Sequence, residues 1–523
     1  MSEGYHRQTI GRLRKSRCDG WIGFIQLVGV LCVAVAPARA DLDADVEQLI
    51  RGAGLEQTRV AVLVTDLRTG RTLVDLDADQ PMVPASNMKL LTTAAALHRL
   101  GPDFHFTTRL ALMAPGSDGR HSGVGSGVGS GPAAEPPSLL VLGGGDPAFG
   151  DPVLLAQAGL EVEDLLTLWT DAVVATGHTR FRRLLLDDRV FDHDRVHPDW
   201  PVNQLHRFSF AQVAGLNFHE NLLAVLPVPA ENDGQAPLIQ LYPYFPQLRT
   251  LNRATTSNVD AFQVQRPPNS NRFTFMGSVR NRRSQPYRVT VDDPPLFFAE
   301  YLRHKLAQAG VTVDRIERVP YDARLDPARL EVLHEINTTL AGVLDRTNQD
   351  SQNLFAEALF KRLGREQTGA PGSFQNGAAA VRLFLRDKLA SRIGLSGVRV
   401  ADGSGLSKNN RATARVLVQV LELMHDDREL GPVFVASLAH AGHTGTLRQR
   451  LRDLDGEVYG KSGWLGASAD YASSLAGYLV APSGRRYAFA LVFNGFRPPI
   501  THNQVKALQD DILRAVDAEV AGR

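Results

Sequence analysis

Residues Val83–Leu97 read VPASNMKLLTTAAAL, and the passage from loop to helix within this stretch sets both the architecture and the chemistry of the chain. The polar run DADQPMVPA ending at Ala85 reads as a loop, and from Met88 to Leu100 the apolar residues recur at helical spacing. Ser86 and Lys89 then share one helix face, about one turn apart. A lysine so placed can accept the proton of a serine hydroxyl if its ammonium is desolvated or lies near another cation. The pair is therefore a candidate for acyl transfer, Ser86 attacking and Lys89 acting as base. Serines are common here, so the pair gains weight only from what else reaches the same place. Lysine is scarce: of 57 basic residues only eight are lysine. Arginine does not give up its proton, which draws attention to Lys89 and Lys461.

Outward from this stretch, TRVAVLVT (Thr58–Thr65), the turn DLRTG and RTLVDLDA read as an antiparallel hairpin. Near the other end, SSLAGYLVAPSGRRYAFALVFNG reads as a second hairpin turning at Ser483-Gly484, followed by an amphipathic helix over 503–520. Strands at both ends predict one sheet with helices packed on it, an α/β (α+β) fold. Residues 115–138 are low-complexity, too polar and glycine-rich to pack. From 139 to 320 short strand-like runs dominate, and after 335 the pattern turns helical. The expected organisation is a leader over 1–40, a catalytic domain built from 41–105 and 322–523, and a mostly β insertion over 106–321.

The leader reading rests on five basic residues between Arg7 and Arg17, an apolar run from Trp21 to Val35, and Ala38-Arg39-Ala40 at the spacing signal peptidase prefers. The apolar run is short for a membrane span, so an exported chain, periplasmic or facing the cell wall, without a transmembrane anchor after cleavage is expected. A retained N-terminal anchor is the alternative. Without residues 1–40 the formal net charge of +1 becomes −3, which gives no reason to propose nucleic acid as a partner. Both cysteines, Cys18 and Cys32, fall in the leader, so no disulfide, thiol nucleophile or cysteine metal site is expected beyond it. Oligomeric state is not legible.

Two further motifs carry chemistry. Ser351-Gln352-Asn353 stands where the polar turn RTNQD enters the helical run NLFAEALFKRL. A hydroxyl and a carboxamide there suit a proton relay and a hydrogen bond to a bound amide; the alternative is that Ser351 merely caps the helix. Ser407-Lys408-Asn409 fits the same loose pattern, but DGSGLSKNN reads as an exposed glycine-rich turn, so Ser351 is preferred. Lys461-Ser462-Gly463 lies on the strand-like run EVYGKSGWLG. A cation and a hydroxyl at a strand edge can meet a substrate carboxylate, with Gly463 allowing close backbone approach. The N–H of Trp464 can pair with that of Ser86 as an oxyanion hole. Alone, KSG would read as a solvated strand end.

Taken in order, SNMK, SQN and KSG resemble the S-x-x-K, S-D-N and K-T-G set of penicillin-binding proteins, with Gln for Asp and Ser for Thr. The gaps, 265 residues from Ser86 to Ser351 and 110 more to Lys461, are similar to those of the low-molecular-mass class C penicillin-binding proteins. These are D-alanyl-D-alanine carboxypeptidases/endopeptidases with a large insertion after the first motif. GGGDP (Gly143–Pro147), ADGSGLSKNN (Ala401–Asn410), HAGHTGTLRQRL from His440 and SSLAGYL (Ser473–Leu479) are also family-like. The resemblance implies a penicillin-binding-protein-like transpeptidase fold, peptidoglycan stem peptides as substrates, and β-lactams as covalent inhibitors. It implies that Ser86 is acylated with Lys89 as base, and that Ser351 protonates the leaving amine. Asn353 would bind the substrate amide, and Lys461 and Ser462 the terminal carboxylate; no cofactor or metal is implied. Members that recognise a diaminopimelate side chain carry an acidic residue shortly after a Trp in the insertion and a basic residue after SGLS. Here those places hold Gln204 and Lys408.

Rival chemistries lack their residues. No E-x-x-x-N follows Ser351 to deacylate a β-lactam rapidly, and Tyr-x-Asn, G-x-S-x-G and H-E-x-x-H do not occur. A non-hydrolytic peptidoglycan binder or β-lactam sensor on the same fold, or a weak β-lactamase, is the remaining alternative.

Overall fold

Strand Arg59–Asp66 is flanked by partners from opposite ends of the sequence. It pairs antiparallel with Thr72–Leu76 on one side and with Arg486–Phe496 on the other. Asp470–Val480, Glu457–Ala467 and the two-residue Ala439–His440 extend this into a six-stranded antiparallel sheet. The structure is a computed structural model and describes residues 42–55, 57–114, 135–467 and 470–521. The leader expected over 1–40, and most of the low-complexity stretch, lie outside the described residues.

Both faces of the sheet are covered. Leu63, Ala476 and Ala490 face a helical layer, while Val62, Leu475 and Leu491 face helices Leu42–Gly52 and His502–Ala521. Burial on both sides is why Arg486–Phe496 reads as a nearly unbroken apolar run rather than an alternating one. The helical layer surrounds Met88–Leu100, in which ten consecutive residues from Met88 are buried. It packs against Leu340–Asn348, Asn353–Thr368, Phe374–Leu389 and Ala414–Asp426. Gly101, with φ of 81°, ends it.

The intervening segment holds a five-stranded mixed sheet of His105–Met113, Ser138–Leu142, Arg180–Asp187, Thr312–Arg318 and Leu330–Thr339. Its ladder runs past residue 321, because Leu330–Thr339 pairs with His105–Met113. Smaller sheets come next, built on Leu222–Val228 and on Arg272–Met276. Helices Val162–Val174 and Pro294–Gln308 also lie here, where the sequence pattern emphasised strands. They are held by a core in which Trp169, Phe149, Phe218 and Phe298 pack ring against ring.

Candidate active site

Ser86 sits in a single 3₁₀ turn, Ala85–Asn87, that runs directly into the helix beginning at Met88. The last sheet strand fixes the approach: the Asn494 carboxamide accepts from Val83 N at 2.7 Å and donates to Val83 O at 3.0 Å. Asn87 ties the turn to the neighbouring strands. Its amide nitrogen is assigned toward Lys461 O (2.9 Å) and Ser474 Oγ (3.0 Å), its oxygen toward Ala476 N (3.1 Å).

Lys89 Nζ donates to Ser86 Oγ at 3.1 Å, to Asn353 Oδ1 at 2.7 Å and to the Ser404 carbonyl at 2.8 Å. The side chain is fully buried. Burial pushes its pKa down from 10.5 to about 7, against the opposing pull of the Glu357 and Asp402 carboxylates. Near neutrality this amine is thus within reach of the free-base form that proton abstraction requires.

Ser351 does not cap the following helix. Gln352 occupies that position, and Ser351 adopts a left-handed backbone with φ of 60°, which for a residue with a Cβ costs roughly 1–2 kcal/mol. Its Oγ accepts from Lys461 Nζ at 2.8 Å. Lys461 is fully buried and also donates to Ser462 O at 2.8 Å. Burial drives its pKa well below 10.5; the charge on Lys89 lowers it further, and Asp350 opposes. Asn353 has its second bond to Ser209 O, at 2.9 Å.

Side chains alternate along Glu457–Ala467. Lys461 and Gly463 point inward, toward Ser351 and the Ser86 turn, whereas Ser462 and Trp464 point outward along the cleft rim. Ser462 Oγ donates to Thr446 Oγ1 at 2.7 Å, and the half-exposed Trp464 ring stacks on His502 with centroids 3.9 Å apart. Ser86, Ser351, Asn353, Ser462, Gly463 and Trp464 all line one cleft of about 480 Å³. Lys89 and Lys461 stand behind its wall. Gly463 is held against the Ser86 turn: a Cβ there would lie 2.2 Å from Ser474 Oγ and 3.0 Å from Ser86 N. Gly463→Ala is expected to displace that turn and slow acylation by penicillin on the order of 100-fold. Stopped-flow acylation beside a thermal melt checks this.

Several residues important to this geometry were not singled out from the sequence. Glu357 and Lys361 follow Asn353 at successive four-residue steps, so the three form a polar stripe on one helix face. Glu357 and Lys361 are both fully buried. Glu357 accepts from Gly403 N (3.0 Å) and Ser404 N (2.8 Å), which turns the Ser404 carbonyl toward Lys89; burial, then the nearby Asp402, raises its pKa. A carboxylate and an amine spaced along an otherwise apolar helix was the available signal. The glycine-rich stretch from Asp402 to Asn410, expected to be an exposed turn, is instead largely buried. Asp402 accepts from Gly405 N (2.9 Å), Ser407 N (2.6 Å) and Trp200 Nε1 (3.0 Å). Its polar backbone is satisfied from within the protein, so it needs no water. Lys408 and Asn409 alone in that stretch are exposed, and Ser407 Oγ donates to Asp199, which places the rival Ser407 motif away from Lys461. Gln204 accepts from Arg207 at 3.5 Å and does not line the cleft.

Known proteins share this arrangement of chain. The profile of the family described as "D-Ala-D-Ala carboxypeptidase 3 (S13) family" matches residues 42–516. The chain is 30% identical to the D-alanyl-D-alanine carboxypeptidase of Actinomadura sp. (strain R39), over 99% of this chain and 93% of that protein. The crystal structure of penicillin binding protein 4 (dacB) from Haemophilus influenzae superposes with a TM-score of 0.71 at 22% identity, covering 91% of this chain and 99% of that one. A second structure of that protein, complexed with a novel β-lactam, gives 0.65 at 21% identity and the same coverage. The last two similarities concern the fold: mixed α/β, with antiparallel sheets.

Proposed function

The chain belongs to the D-Ala-D-Ala carboxypeptidase 3 (S13) family and is a serine peptidase, and from that premise we propose that it cleaves the D-Ala-D-Ala bond of peptidoglycan stem peptides through an acyl-enzyme on Ser86. The observation that carries this reading is the buried Lys89 amine, 3.1 Å from Ser86 Oγ behind an open cleft. Ser86 Oγ attacks the carbonyl of the penultimate D-alanine while its proton passes to Lys89. The oxyanion is received by the N–H groups of Ser86 and Trp464. As the C–N bond breaks, Ser351 gives its proton to the departing amine and draws a replacement from Lys461. Charge on one buried lysine disfavours charge on the other, so the pair shares a single proton, which starts on Lys461 beside Asp350 and ends on Lys89. Water then hydrolyses the ester and the proton transfers run in reverse.

Ser462, with Thr446 beside it, receives the terminal carboxylate. Lys461 adds its charge from behind the wall, through Ser351 and the Ser462 carbonyl side of the strand. Asn353 holds the substrate amide while keeping Lys89 in place. A β-lactam presents the same acyl-D-Ala-D-Ala shape and acylates Ser86 without a leaving group that can diffuse away. The protein works outside the cytoplasm, on peptidoglycan, after removal of residues 1–40; among the described residues no helix is long and apolar enough to cross a membrane.

The test is D-alanine release from a synthetic pentapeptide, run beside labelling with a fluorescent penicillin. Release together with labelling supports the peptidase. Labelling without release supports a β-lactam-sensing protein, and the absence of both overturns the reading.

A further inference from the structure

The two residues that flank Ser351 are tied down by one buried ion cluster, and part of that cluster comes from the insertion. Arg346 Nη1 donates to the Asp350 carboxylate, and the Arg346 carbonyl accepts from Gln352 N at 3.1 Å. The Gln352 carboxamide donates to Glu220 Oε1, which also accepts from Arg346 Nη2 at 2.8 Å. Arg346 is completed by Asp151, with Nη2 at 3.0 Å, and Glu220 Oε2 by Arg288 Nη1 at 3.2 Å. Arg346, Asp151 and Glu220 have side chains no more than 5% exposed.

Backbone strain is concentrated on both sides of this contact. His219, Glu220 and Asn221 are three consecutive non-glycine residues with φ of 51°, 56° and 56°, and Ser351 has φ of 60°. Such conformations persist only where the surroundings over-determine them. Around Glu220 the Asn221 carboxamide does so, accepting from Phe218 N at 3.0 Å and donating to Gln212 O at 2.8 Å and Asn217 Oδ1 at 2.7 Å. The result is a carboxylate delivered from far upstream in the chain onto the neighbour of Ser351. Buried ion pairs often add little to stability, so a general docking role does not explain why these bonds converge on Asp350 and Gln352.

We propose that Glu220, acting with Arg346, is a positioning residue for the reaction: it clamps Gln352 and Asp350 so that the left-handed Ser351 keeps its hydroxyl on Lys461 and toward the cleft. This rests on the reading of Ser351 as proton relay. It also gives a physical reason for glutamine in the middle of the S-x-N motif. A carboxamide can donate to Glu220, whereas a carboxylate at that place would face Glu220 as a like charge.

The experiment is a carboxylate–carboxamide exchange. Gln352→Glu is expected to slow acylation by benzylpenicillin about tenfold or more, as a misplaced catalytic group does, while the dissociation constant of the preceding non-covalent complex stays at the parental value. Glu220→Gln alone weakens the clamp by a smaller factor. The double variant Glu220→Gln/Gln352→Glu restores one donor and one acceptor, and is expected to recover most of the rate. Parental acylation by both single variants overturns the proposal, as does failure of the double variant to recover. So does a loss confined to the dissociation constant or tracking a lower melting temperature across all three. Ser351→Ala separates the premises. Slow acylation by Ser351→Ala beside parental rates in the Glu220 and Gln352 variants leaves the relay standing and removes the clamp. Parental acylation by Ser351→Ala removes the relay, and the clamp with it.

Discussion

Benzylpenicillin is expected to add one penicilloyl mass to the parental chain and none to Ser86→Ala, and D-alanine release by that variant is expected to fall on the order of a million-fold. The size of the loss reflects what the hydroxyl does. In the proposed mechanism no ester forms without it, and the proposed oxyanion donors and carboxylate site would retain only what they contribute to an uncatalysed attack by water. The fold should survive, because Lys89 keeps two of its three acceptors, Asn353 Oδ1 and Ser404 O. Intact-protein mass spectrometry and a thermal melt read both points. Groups that act as a unit are not additive, so Ser86→Ala/Lys89→Arg should be no slower than Ser86→Ala alone. An adduct on Ser86→Ala, at Ser351 or Ser407, would remove the assignment.

Lys89 is expected to govern the pH dependence. Its pKa near 7 means that the proton-accepting amine is lost as the pH falls through that value. The second-order acylation constant should therefore level off above pH 7 and drop about tenfold for each pH unit below it, since kcat/KM-type constants report the free enzyme. Lys89→Arg keeps a cation that can still hydrogen-bond Asn353 but cannot accept a proton at any workable pH. A loss of about 1000-fold is expected, in the range general base catalysis contributes, and the limb near pH 7 should vanish. A profile for the parental chain that is flat from pH 5 to 8 would assign the base elsewhere.

The local periodicities were legible and the long-range polar partners were not. The helix at Met88–Leu100 and the two terminal hairpins come from spacing and turn residues, and the expectation of one sheet from strands lying at both ends of the chain. The pairing of Ser86 with Lys89 is a one-turn relation and could be read directly. Asp402–Asn410 could not, because glycine and polar residues look solvated unless one knows that Glu357 and Asp402 satisfy their N–H groups. The same holds for Gln352, whose partner Glu220 is separated from it by a large part of the insertion. Val162–Val174 has a helical period and a capping box at Glu161 and Asp164, a local signal outweighed in the sequence by the strand-like runs on either side.

The position of Arg486–Phe496 bears on how much of the chain the site requires. This strand lies between Arg59–Asp66 and Asp470–Val480, and its Asn494 holds Val83 just ahead of Ser86. No nascent or C-terminally shortened chain that ends before it can assemble the central sheet, whatever fraction of the motifs has already been made. Contacts between residues as far apart in sequence as Val83 and Asn494 carry a large loop-closure cost, which makes folding that depends on them slow. The last strand thus makes the Ser86 turn depend on the far end of the chain, and a polypeptide cut short before Arg486 is expected to lack the site as well as the sheet.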